Sequence, residues 1–115
     1  EFAAEYGVIV LLKGHTSIVT NGKFTVFCTE GTPALAKGGS GDVLSGIVAS
    51  LAARGVSAMD SAACGSWLLG RAGRLAAEAQ GNEYSVCPSD VISCLPAAIA
   101  RLIEESAAES KKTEY

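Results

Sequence analysis

At 115 residues, 49% of them apolar and 18% charged, the chain has the size and composition of a single compact domain. Its net charge of -3 leaves no basic footprint for nucleic acid. No apolar run approaches the roughly 18 residues of a membrane span, so neither nucleic acid nor a membrane is an expected partner.

Glu1-Phe2-Ala3-Ala4-Glu5-Tyr6 reads as the end of a helix, and a chain that opens inside an element is expected to be one part of a larger polypeptide. Gly7-Val8-Ile9-Val10-Leu11-Leu12 is a continuous apolar run of the kind found in strands buried on both faces. Ser17-Ile18-Val19-Thr20 and Phe24-Thr25-Val26-Phe27 flank Asn21-Gly22-Lys23. Asn-Gly between β-prone runs predicts a hairpin with a type I′ turn, which needs positive φ at both central residues.

Thr29 to Ser40 is a glycine-rich loop with one proline. It delivers the chain into a helix from Val43 to Arg54, with apolar residues at 43, 44, 47, 48 and 51 and few polar interruptions, expected to be mostly buried. Gly55 fits the C′ position of that helix. Ser57 is an N-cap for a second helix running to about Gln80, on which Ala62, Ser66, Gly70 and Gly73 form a smooth packing face. Pro88-Ser89-Asp90 opens a third helix with Val91, Leu95, Ile99, Leu102 and Ile103 on one stripe, and Pro96 is expected to kink or split it. Residues 1–105 are expected to form the domain, and 106–115 a polar, frayed tail.

Cys28, Cys64, Cys87 and Cys94 include no close pair at metal or redox spacing, so they are expected to be ordinary thiols of a reducing compartment.

The chemistry concentrates at Gly38-Gly39-Ser40-Gly41-Asp42. Glycines leave backbone N–H groups unobstructed, and at a helix N-terminus those groups and the helix dipole suit phosphate oxygens. Asp42, on the first helical turn, is placed to accept a proton from an attacking hydroxyl. The competing reading is structural: Asp42 caps the helix and the glycines make a tight turn. The spacing is neither a Walker loop nor a dinucleotide fingerprint. Lys13, at a strand end, offers charge to a phosphate or is simply solvated. His15 reads as a loop histidine, since no Ser/Asp partner supports a triad. Lys37, beside the turn, reads more safely as a surface lysine.

The string Gly31-Thr32-Pro33-Ala34-Leu35-Ala36-Lys37-Gly38-Gly39-Ser40-Gly41-Asp42-Val43-Leu44-Ser45-Gly46 closely resembles the signature of ADP-dependent NAD(P)H-hydrate dehydratases, members of the ribokinase-like superfamily. The resemblance extends upstream to Val10-Leu11-Leu12-Lys13-Gly14-His15-Thr16-Ser17 and downstream to Pro88-Ser89-Asp90 and Leu95-Pro96, covering roughly residues 2 to 104. It implies an α/β fold: the C-terminal portion of a ribokinase-like three-layer α/β/α domain, strands and a hairpin followed by three helices. It also implies dehydration of (S)-NAD(P)H hydrate at the expense of ADP or ATP, by phosphorylation of the hydrate's hydroxyl and elimination of phosphate. Adenine-nucleotide contacts then fall at Lys13, Gly14, His15, Thr16 and Ser17 and at Gly39, Ser40 and Gly41. Asp42 faces the hydrated nicotinamide as the catalytic base. Position 17 departs from the pattern, being Ser where many relatives have Thr.

Magnesium is expected with the nucleotide, although no carboxylate cluster marks a metal site. The expected partners are the adenine nucleotide, hydrated NADH or NADPH, the first part of the same domain, and further copies in a homo-oligomer, in the cytoplasm. Alone, the chain would lack much of the core and is not expected to catalyse. The alternatives are a small-molecule kinase of the same superfamily, for a thiazole, pyrimidine or sugar, and a non-enzymatic nucleotide-binding module.

Overall fold

The computed structural model describes residues 1–13, 17–28 and 39–113. A short helix α1 (Phe2–Tyr6) leads into three strands, β1 (Val10–Leu12), β2 (Ser17–Thr20) and β3 (Thr25–Cys28), followed by three helices, α2 (Ser40–Ala53), α3 (Ala58–Gln80) and α4 (Pro88–Thr113). The strands form one antiparallel sheet in the order β1-β2-β3. Leu11 faces Val19 across the first pair, and Val19 faces Val26 across the second. Val19, at the centre, is completely buried.

The apolar run ending at Leu12 is not a strand covered on both faces. Gly7 ends α1 at φ 62, the strand proper is three residues long, and Val8, Ile9 and Leu12 remain exposed. Its pairing is antiparallel, to β2 only among the described residues, so one edge of β1 stays open. An open edge and a partly bare face explain why so apolar a segment is not core here.

The hairpin is where the Asn-Gly signal puts it, but its turn differs. The register pairs Thr20 with Thr25, leaving a four-residue loop, and of the loop residues only Gly22 has positive φ, at 94. Asn21 keeps an ordinary φ because its side chain serves as the turn: Oδ1 accepts from the amides of Lys23 at 2.9 Å and Phe24 at 2.8 Å. Gly22 also packs on α1, where an added Cβ would lie 2.8 Å from Ala4.

α3 is the central element of the helical layer, touching α2, α4 and both β2 and β3. Ser57 caps it as expected, its Oγ accepting from the Asp60 amide at 3.2 Å, and Ala62, Ser66, Gly70 and Gly73 are all buried. The core joins Leu44 of α2, Leu68, Leu69, Ala72 and Ala76 of α3, and Val91 and Ala98 of α4, with Val86 just ahead of α4. The guanidinium of Arg71 stacks 4.8 Å from the Trp67 ring and reaches Glu105 at 3.4 Å, tying α3 to α4.

Two helices differ from expectation. α4 is not split at Pro96 but runs on to Thr113 as a single helix. Pro96 lies on the exposed side, where the lost hydrogen bond is cheapest because water can satisfy the carbonyl it leaves unpaired. α2 is less buried than its composition suggests: only Ser40 and Leu44 are fully enclosed, because one side packs on α3 and the other borders an open groove.

Candidate functional site at the start of α2

Gly39 is the N-cap of α2 and has φ 96, in the left-handed region, which a residue with Cβ enters at a cost. No side chain caps this helix. The first intrahelical bond runs from the Val43 amide to the Gly39 carbonyl at 3.1 Å. The earliest amides, those of Ser40 and Gly41, therefore have no acceptor within the helix. A helix of 14 residues with an uncapped, glycine-lined start offers an anion both hydrogen-bond donors and the positive end of the dipole.

The tertiary structure adds a cation to that start. A methyl group placed on Gly41 would lie 3.3 Å from the Lys13 ammonium nitrogen. β1 and the glycine turn are distant in sequence, and the fold brings the strand-end lysine over the first turn of α2. Ser17 opens β2 beside the Leu12–Ile18 pair, at the same end of the sheet as Lys13. Gly14, His15 and Thr16, and with them Lys37 and Gly38, lie outside the described residues.

Asp42 is exposed, and it stands at the mouth of a groove of about 770 Å³. The groove runs along α2 past Gly46, Ile47 and Ser50 to Arg54, over Cys64 and Leu68 of α3, against Ile92, Leu95, Ile99 and Leu102 of α4. Burial, and secondly the Asp60 carboxylate, push the Cys64 thiol above its ordinary pKa, keeping it neutral. The groove was not foreseen. On the apolar stripe of α4, Ile99 is 44% exposed and Ile103 64%, while Val91, together with Ala98, carries the packing. The sequence signal was an apolar arc wider than one packing contact requires.

Among the described residues no group of three His, Cys, Asp or Glu side chains is arranged to hold a metal ion. Nor is any helix long and apolar enough to cross a membrane.

The fold thus brings together a glycine turn at a helix start, a lysine over it and an aspartate beside it. The Carb_kinase family model, described as NAD(P)H-hydrate dehydratase, matches residues 1–97, and the chain belongs to that family. It is 40% identical over 94 residues to the ADP-dependent (S)-NAD(P)H-hydrate dehydratase of Cenarchaeum symbiosum, covering 82% of this chain and 32% of that protein. The enzyme of the same name from Nitrosopumilus maritimus is 44% identical over 75 residues, 65% of this chain and 26% of the relative. The bifunctional NAD(P)H-hydrate repair enzyme Nnr of Vibrio cholerae is 41% identical over 78 residues, 68% and 16% of the two chains. The solved structure of Bacillus subtilis YxkO superposes with a TM-score of 0.80 at 22% identity, over 87% of this chain and 37% of that one, which bears out the fold. The chain thus spans about a third or less of the length of these curated relatives.

Proposed function

We propose that the full-length protein dehydrates (S)-NAD(P)H hydrate to NAD(P)H at the expense of ADP or ATP, repairing damaged nicotinamide cofactor. The observation that carries this reading is the convergence, on one helix start, of the Gly39–Gly41 turn, the Lys13 ammonium and the Asp42 carboxylate. The amides of Ser40 and Gly41, with Lys13, hold phosphate oxygens and spread the charge that builds on them during phosphoryl transfer. Asp42 takes the proton of the hydrate's hydroxyl as its oxygen accepts the phosphoryl group. The carbon–oxygen bond then breaks, inorganic phosphate leaves, and the neighbouring ring carbon gives up a proton to restore the double bond. The names of the relatives support ADP as donor.

The nucleotide contacts extend along residues 13–17 and 39–41. A magnesium ion would accompany the nucleotide and help neutralise the charge of its phosphates. Residues 1–105 form the part of the catalytic domain contained in this chain, and the rest of that domain completes the hydrate pocket. The assembly is a homo-oligomer of the cytoplasm.

The test is absorbance recovery by full-length protein given hydrated NADH with ADP, then with ATP. Nucleotide-dependent return of NADH absorbance, together with inorganic phosphate, is the expected result. Asp42→Asn should lower turnover by about 10²–10⁴-fold, since an amide cannot accept the proton, while ADP affinity stays within a few-fold of the parent. Accumulation of a phosphorylated product without restored nicotinamide would instead identify a kinase. Near-normal turnover in the Asn variant would remove Asp42 from the role of base.

A further inference from the structure

We propose that Pro88, the first residue of α4, is a positioning residue for the glycine turn, holding Gly39 in its left-handed conformation so that the amides behind it converge on one anion. The inference rests on the reading of that turn as the nucleotide phosphate site.

A methyl group built on Gly39 would lie 2.9 Å from Pro88 Cγ and 3.6 Å from its Cβ. The proline ring therefore already occupies the space a side chain at position 39 would need. Glycine is freer than any other residue to leave a given backbone region, and at φ 96 Gly39 has no side chain of its own to anchor it. Its conformation must be set from outside, and Pro88 touches it directly.

Pro88 is suited to be that stop. A proline ring has no rotamers to populate, and its φ is locked at a value the first turn of a helix accepts. Its base is fixed as well. Val86 and Val91, on either side, are each 1% exposed. The Cys87 amide donates to Asp90 Oδ2 at 2.8 Å, and the Cys87 carbonyl accepts from the amides of Asp90 and Val91. That is the reach-back half of a capping box, which pins the start of α4 independently of the turn. The turn is thus held between two contacts from distant parts of the chain, the Pro88 ring against Gly39 and the Lys13 ammonium against Gly41.

The test compares full-length parent, Pro88→Ala, Pro88→Ser, Gly39→Ala and the Gly39→Ala/Pro88→Ala double variant, with Pro96→Ala as a proline loss remote from the turn. Amide hydrogen exchange without nucleotide is the primary readout. Loss of the ring should speed exchange at Val43, whose amide is bonded to the Gly39 carbonyl, by about tenfold while the amides of α4 beyond Ile92 keep parental protection. Pro96→Ala should leave exchange at Val43 unchanged. Gly39→Ala should weaken ADP binding by about tenfold or more, and the double variant should lose less than the product of the two single losses, because removing the ring frees room for the new methyl group. In steady state, Pro88→Ala should raise KM for the nucleotide by about three- to tenfold and move kcat by less.

Parental exchange at Val43 in both Pro88 variants would overturn the proposal, as would strict additivity of the double variant. Failure of the parent itself to bind ADP would sink the nucleotide reading alone. The exchange comparison needs no ligand and would still decide whether Pro88 sets the turn.

Discussion

Gly65→Ala tests how closely α2, the helix that carries the glycine turn, rests on α3. Gly65 is buried in the middle of α3, and a Cβ there would lie 2.8 Å from Val48 Cγ2 and 3.5 Å from Ile47 Cγ2. Carbon atoms in contact prefer about 3.5–4.0 Å, so the new methyl is most of an ångström too close to Val48. Val48 cannot swing away, because a β-branched side chain in a helix has essentially one comfortable χ1. Replacing an interior helical glycine by alanine gains about 1 kcal/mol of helix propensity. Overpacking a close contact costs about 1–3 kcal/mol. The packing term wins, for a net loss of about 1 kcal/mol, or about 4 °C in melting temperature for a chain of this size.

Urea and thermal unfolding followed by circular dichroism would measure it. On a Val48→Ala background the obstructing methyl is gone, and the same Gly65→Ala change should stabilise by about 1 kcal/mol. A Gly65→Ala protein more stable than the parent, or one losing equal stability on both backgrounds, would refute the argument that Val48 sets the approach of the two helices.

Lys13→Met should weaken ADP binding by about five- to tenfold, and the difference should shrink as salt is raised, since an exposed ammonium is screened. Isothermal titration at two ionic strengths checks it. Ser57→Ala, which removes the acceptor for the Asp60 amide, should cost about 1 kcal/mol in unfolding experiments without altering nucleotide affinity. Iodoacetamide should modify exposed Cys87 well before Cys64, whose thiol is held neutral by burial and by Asp60; a time course by mass spectrometry at several pH values reads this directly. Because the folded pKa of Cys64 is the higher one, its contribution to stability is complete below the unfolded thiol pKa. That contribution is lost as pH rises through the folded value, so Cys64→Ala should leave the acid side of the stability profile unchanged and flatten only its alkaline fall.

Much of the architecture is legible because local rules dominate where they were read. Asn21-Gly22 between β-prone runs marks the hairpin, Ser57 marks the start of α3, and Gly55, at φ 92, marks the end of α2. The glycine turn feeding α2 was legible for the same reason, since only glycine serves at φ 96 without strain. The turn type of the hairpin was not, because the Asn21 side chain competes with its backbone for the same amides. The course of α4 through Pro96 was not either, because a proline on the solvent side of a long packed helix loses little that water cannot replace.

What the sequence determined by itself is the set of local conformations and the candidate site residues: the helix starts, the left-handed glycines, and Asp42 in the first turn of α2. Which of those residues meet was decided by tertiary packing. Strand pairing and the docking of α2 and α4 on α3 bring Lys13 to Gly41 and Pro88 to Gly39, contacts that join segments far apart along the chain. The same packing turned half of the apolar stripe of α4 into the wall of an open groove instead of core. Periodicity reports that a face is apolar, and only the neighbours available to cover it determine whether that face is buried.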